Sequence, residues 1–398
     1  MQSGSNAYKE LHGFKQHSSG GLWAFGRMQL LSFDQNAHRF EYIRNEHLDD
    51  YGIKYDHVFS IYEDKEQNLW FGTDQGVYAV NPAARSFHTI KGIVNGKISE
   101  ISVTGFLQTD DNRIMASTWG SGLVSFDEKL WPISTAVNPG AGTPDENYSM
   151  QWCLYKQPAT DRLWIGCQSG RLIIHDLRTK QNTFLAPPIF KGRTIRQIMQ
   201  DKRGQLWFAT QYGQILKLKN PAGSPKNITA ELITVTDLQT IIYKLYEDKD
   251  GLIWAATHGY GLVKIDPHTG KIIESYTANT ARGKSLYSDI VTDIVPYGDS
   301  ILVVASGAIN FLNRYTGKIK QVSAIDGLPS NTVNNLQFDQ QGSLWISLLS
   351  GLCRYNLTKN LFTGFSQRDG IFYDNFQIGA RYLLKDGRLL FGNTHDFI

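Results

Sequence analysis

Apolar and polar positions alternate in short runs along most of this chain, and almost nowhere do they recur at the spacing of a helix face. Residues 58–62 alternate as one strand, 68–73 follow as a second, 76–80 as a third and 86–90 as a fourth. The turn between the first two reads Glu-Asp-Lys-x-Gly/Asn, which suits a tight hairpin closing on a positive-φ residue. Asn81 with Pro82, and Asp266 with Pro267, punctuate the gap between third and fourth strands.

The same phrase returns every 43–49 residues or so, ending on an aromatic or large apolar mark: Trp23, Trp70, Met115, Trp164, Trp207, Trp254, Leu302, Trp345 and Leu390. One supersecondary unit has been copied, and each unit buries its face only against its neighbours. Four-stranded units of this length predict an all-β fold, a β-propeller of four-stranded blades. A flat indole at one fixed place would fill the wedge between blades. The count favours eight blades over residues 8–398, closed by pairing of N- and C-terminal strands, with seven blades plus extra units of a neighbouring propeller as the alternative.

Composition narrows the function classes. A net charge of +3 without any basic block gives no nucleic-acid signal. No run of 18 apolar residues is present, so no membrane-spanning helix is expected. Three cysteines are too few for a disulfide framework, although Cys153 and Cys167 fall on two arms of one expected hairpin and are either cross-linked or two buried thiols. Residues 1–7 read as the remnant of a cloning junction, with no leader pattern behind it.

The motif Asp-x-x-Gly-x-Leu-Trp-x-Gly/Ala-Thr, followed by Gly-Leu/Val and Asp/Asn, stands here as Asp64, Trp70, Thr73, Gly76, Val77, Asn81, and again as Asp248, Trp254, Thr257, Gly261, Leu262, Asp266. These repeats resemble the two-component regulator propeller family, which forms the extracytoplasmic sensor region of hybrid histidine kinases in Bacteroidetes. The resemblance implies a fragment of a periplasmic receptor. Its full form would carry a second propeller, a β-sandwich, a membrane helix and a kinase core, and would act as a homodimer. It implies signal transduction rather than catalysis and specifies no ligand.

In a propeller, the loops joining second to third strands and those entering the first strand open on one face, the default pocket. Residues there that differ between copies are not demanded by the scaffold. They are Asp74, Trp119, Gln168, Gln211, Tyr212, His258, Tyr260 and His395, with Arg193 (and Lys191) from an entry loop. Aromatic faces mixed with amides suit an oligosaccharide or other small neutral ligand, and Arg193 would hold a carboxylate or sulfate if the ligand were acidic. Asp64, Asp201, Asp248, Asp339 and Asp386 are expected to cap turns, not to act as acid/base pairs. No metal-ligand spacing, nucleotide fingerprint or nucleophile elbow is present, so no cofactor, metal or catalytic residue is expected. Were the chain an enzyme, a lyase or glycan-cleaving propeller, His258, His395 and Asp74 would be the first suspects. A protein-binding scaffold with an empty funnel is the third reading.

Overall fold

The computed structural model describes residues 8–18, 20–34, 38–43, 53–65, 68–80, 87–137, 145–158, 160–223, 225–366, 369–371 and 373–398. The expected junction remnant, residues 1–7, and Asn81 lie outside them. The chain divides into two compact units, residues 1–87 and 88–398, where the repeats alone suggested one domain over 8–398.

The first unit holds two antiparallel sheets. Glu10–Gln16, Leu22–Arg27, Gln29–Asp34 and Arg39–Tyr42 form one; Val58–Glu63, Leu69–Thr73 and Gly76–Val80 form the other. Trp23 therefore lies on a second strand, and the N-terminal strands pair among themselves instead of completing a C-terminal blade. Trp23 meets Phe71 edge-on at 5.3 Å, over a core of Leu30, Tyr55, Val58 and Leu69.

Six four-stranded sheets follow one another in the second unit. Their first strands are Val103–Gln108, Gln151–Lys156, Ile195–Gln200, Ile242–Glu247, Asp293–Tyr297 and Val333–Phe338. A seventh begins with Phe376–Leu383 and Leu389–Asn393. Phe397 then bridges Gly392 on one side and Ile90 on the other. Each first strand packs beside the next, and Phe376–Leu383 packs beside Val103–Gln108, so the cycle closes at seven sheets and not eight.

Residues 86–90 were expected to complete the sheet of Val58–Glu63. Instead Ile90 exchanges backbone hydrogen bonds with Phe397, at 2.7 and 3.2 Å, and forms the outer edge of the seventh sheet. Apolar packing enforces this closure. The Phe397 ring meets Phe106 at 5.1 Å and Phe126 at 5.0 Å in a cluster shared by the seventh and first sheets. Burying three aromatic rings there removes two sheet edges at once.

The repeated phrase is a hydrogen-bonded unit. The indoles of Trp70, Trp207, Trp254 and Trp345 donate to Asp64, Asp201, Asp248 and Asp339 at 2.7–2.9 Å. The other carboxylate oxygen accepts turn N–H groups, as from Arg203 and Gln205 onto Asp201. The capping role expected of these four aspartates is therefore met. Asp386 caps its turn too, accepting the Arg388 backbone N–H at 3.0 Å, but from a shifted place: in the last copy the position equivalent to the other four is Leu384, and Asp386 also pairs with the Arg388 side chain. At Trp164 the partner is Gln157, at 3.1 Å.

Helix is nearly absent among the described residues, apart from Pro225–Glu231 before the outermost strand of the third sheet. Cys153, Cys167 and Cys353 are free and buried; burial pushes Cys153 and Cys353 up to about 12 and Cys167 upward as well.

Candidate functional site

A β-bulge recurs near the start of the first strand in five of the seven sheets of the second unit. The register skips Thr104, Trp152, Arg196, Tyr243 and Asn334. A bulge re-aims the side chain it carries and lets the strand bend. These side chains differ from copy to copy while the residue before each is apolar or, in one case, Gln151.

The loop end of these strands is knitted by one backbone bond copied around the unit. Trp119 N–H donates to Ser102, Gln168 to Met150, Gln211 to Thr194, His258 to Ile241 and Leu349 to Thr332, all at 2.8–3.1 Å. Each joins a second-to-third-strand loop to the entry of its own sheet. Bonds to the next sheet add to them: Gly120 and Gly122 N–H donate to Ser149, and Gly259 and Gly261 N–H donate to Asp289.

Three consecutive bulge residues meet there. The Arg196 guanidinium lies 4.0 Å from the centre of the Trp152 ring and 5.8 Å from that of Tyr243. Gln168 Oε1 accepts the Trp152 indole N–H at 2.8 Å, and the Tyr243 hydroxyl is 3.1 Å from His258 Nδ1. Thus two expected site residues, Gln168 and His258, brace a clamp formed by three unexpected ones. Burial lowers the pKa of Arg196; the opposing influences come from Tyr243 and Cys153, with no carboxylate among them.

Farther along the first strands lies a charged group. Arg381 reaches across from the seventh sheet to the fifth, binding Asp293 through Nε at 2.5 Å and Nη2 at 3.0 Å, with Nη1 on Gln337 at 2.5 Å. Burial raises the Asp293 pKa, but Arg381, Lys244 and the Leu336 N–H outweigh it and hold the carboxyl below its usual range. Burial, then Arg381, pushes Lys244 down to about 8.

The remaining expected residues are distributed as follows. Trp119, Tyr212 and Tyr260 are exposed at loop tips, Tyr212 with a left-handed φ of 74°. Gln211 is half-buried, and no bond of its side chain is present among the described residues. Arg193 is committed to Asp237 at 2.6 Å, so its charge is neutralised within the fold. His395 stacks on Tyr373 at 4.2 Å and bonds Thr394. Asp74 belongs to the first unit and accepts the N–H groups of Asp56 and His57, both at 2.9 Å. Burial works against ionisation of Asp74, yet these backbone donors hold its pKa below the usual range. Within the second unit, His258 and His395 sit on the fourth and seventh sheets, each with its own partner.

A cleft of about 210 Å³ opens at the other end of the first and second sheets, lined by the turns around Asp110 and Asp161. Its cations have partners: Lys156 with Asp110 at 2.8 Å, Arg113 with Asp111 at 2.9 Å, Arg178 with Asp161 at 3.8 Å. No cluster of three metal-ligating side chains occurs among the described residues.

The bulged inner strands, the Asp–Trp turns and the closed cycle define a β-propeller. Four segments, residues 52–75, 190–212, 238–259 and 327–348, match the family described as two component regulator propeller. No curated protein matches it. The extracellular domain of the putative hybrid two component system BT3049 from B. thetaiotaomicron aligns at 18% identity with a TM-score of 0.75, over 99% of this chain and 52% of that one. The corresponding domain of BT4673 from the same organism aligns at 17% identity and 0.61, over 96% and 52%. The WD40 β-propeller domain of Doa1 aligns at 11% and 0.58, over 78% and 95%. At these identities the likeness shows the fold, and the chain spans about half the length of the two bacterial domains.

Proposed function

We propose that this chain is the ligand-sensing propeller region of an extracytoplasmic receptor domain in a hybrid two-component histidine kinase, facing the periplasm and responding to an oligosaccharide. The observation that carries it is the Gln168–Trp152–Arg196–Tyr243–His258 cluster at the loop end of the second unit. A sugar presents apolar C–H faces to aromatic rings and hydroxyls to amides and imidazoles, and this cluster offers both within one rigid frame. The regulator-propeller repeats and the fold shared with two extracellular two-component domains support the receptor context.

The two sheets of the first unit are too few to close a ring of their own, and we read them as blades of a second propeller. Signalling would follow from a difference in ligand affinity between two arrangements of a receptor homodimer. No nucleic acid partner is proposed. A thermal-shift screen with plant and host polysaccharide fragments tests the sensor reading, with chromatography of the same samples for cleaved product. Saturable stabilisation without product supports it; turnover would make the chain an enzyme. Silence throughout, with concentration-dependent dimerisation, would make it a scaffold.

A further inference from the structure

Arginines in the second unit that are buried or half-buried have an oxygen near them, with one exception among the described residues. Arg171 has Asp145 at 2.8 Å, Arg193 has Asp237 at 2.6 Å, and Arg314 has Asp250 at 2.6 Å. Arg381 has Asp293, Arg354 lies 3.9 Å from Asp339, and Arg162 donates to the carbonyls of Pro221 and Gly223. Arg196 is half-buried with no hydrogen bond or ion pair, held by the Trp152 and Tyr243 rings.

Aromatic contact satisfies the guanidinium's π-faces and leaves its in-plane N–H fork unspent. That fork matches an oxyanion bidentately, and a partly desolvated, unpaired cation makes such a partner worth more than it would be in bulk water. The titratable groups that act on this guanidinium are Tyr243 and Cys153, with no carboxylate among them to compete for an incoming anion. The clamp is also braced before any ligand arrives, by Gln168 on Trp152 and His258 on Tyr243, so little ordering is left to be done on binding.

We propose that Arg196 is an anion-binding residue at the mouth of the propeller, taking a carboxylate or sulfate group of the ligand between Trp152 and Tyr243. Resting on the sensor reading above, this makes the ligand an acidic sugar, a uronate or a sulfated residue, and gives Arg196 the role that the sequence pattern assigned to Arg193.

The test is binding to the full chain by calorimetry and thermal shift, with sodium sulfate, galacturonate, digalacturonate and galactobiose, each against sodium chloride at equal ionic strength. Wild type is expected to be stabilised saturably by sulfate or galacturonate. R196Q should lose at least tenfold in affinity, and R196K, which keeps the charge without the fork, should fall between them. Unligated melting temperatures of the variants show whether they fold. Equal anion binding by R196Q and wild type, or no anion binding by folded wild type, overturns the inference. Should galactobiose bind wild type while no anion does, the sensor reading stands and this inference fails. Arg196-dependent anion binding with digalacturonate no tighter than galacturonate would keep the anion site and sink the oligosaccharide reading.

Discussion

Trp254 donates its indole N–H to Asp248 at 2.8 Å, and that same carboxylate is only 1% exposed. Its second oxygen accepts the N–H groups of Asp250 and Leu252, and Arg314 Nη1 lies 3.2 Å from the oxygen that the indole uses. Asp248→Ala would leave an indole, two turn amides and a buried guanidinium short of a partner, a loss of about 3–5 kcal/mol. Asp386→Ala removes an exposed pair with Arg388 and should cost less than about 1 kcal/mol. Urea unfolding of the two variants checks the contrast; equal losses would contradict the scaffold role of the Asp–Trp turn.

Closure of the second unit depends on a very short pairing. Ile90→Pro removes the N–H that reaches Phe397 at 2.7 Å, and proline in a paired strand disturbs its neighbours too. A destabilisation of about 1–3 kcal/mol is expected, with faster hydrogen exchange at residues 389–398. Unchanged exchange there would mean that Ile90 does not close the cycle.

Lys244 gives a pH dependence of defined sign. Its pKa in the fold is about 8, whereas an unfolded lysine titrates near ~10.4, so the unfolded chain holds that proton more tightly. Protonated Lys244 therefore costs stability below about pH 8, and the cost is relieved as pH rises from there toward ~10. Lys244→Met should be more stable than the parent by roughly 1–3 kcal/mol near neutral pH, the gap narrowing above it. Denaturant melts of both proteins at about pH 7 and pH 9.5 decide this; a gap that does not change contradicts it.

Cysteine chemistry offers a simple check on packing. With all three thiols buried and their pKa values raised, a thiol reagent at about pH 8 should titrate less than one group per native chain. Three should appear in guanidinium without reductant. Only one in guanidinium would mean that Cys153 and Cys167 are bridged.

Much of the fold was legible because its signals are local. The Asp–Trp spacing, the hairpin turns and the period-2 alternation all lie within a dozen residues, and the structure keeps them as four-stranded sheets. Closure was not local. Ile90 finds Phe397 some 300 residues away, and alternation in residues 86–90 says nothing about which sheet takes that strand. For the site, the loops containing Gln168 and His258 stood out because their residues vary between copies. Arg193 was chosen because its loop position was visible, while its neutraliser, Asp237, belongs to another strand. Trp152, Arg196 and Tyr243 were not singled out, because a bulge leaves no signature in alternation. Their signal was variation at a fixed place, eleven residues before the mark for Arg196 and Tyr243 and twelve for Trp152.

The central claim is that variable chemistry in this propeller is gathered where the bulged strands meet the second-to-third-strand loops. Deuterium uptake of the full chain, with and without the sugar or anion that stabilises it most, tests that directly. Protection is expected in peptides spanning Trp152, Gln168, Arg196, Tyr243 and His258. Protection confined to the opposite turns, around Asp110 and Asp161, would contradict it.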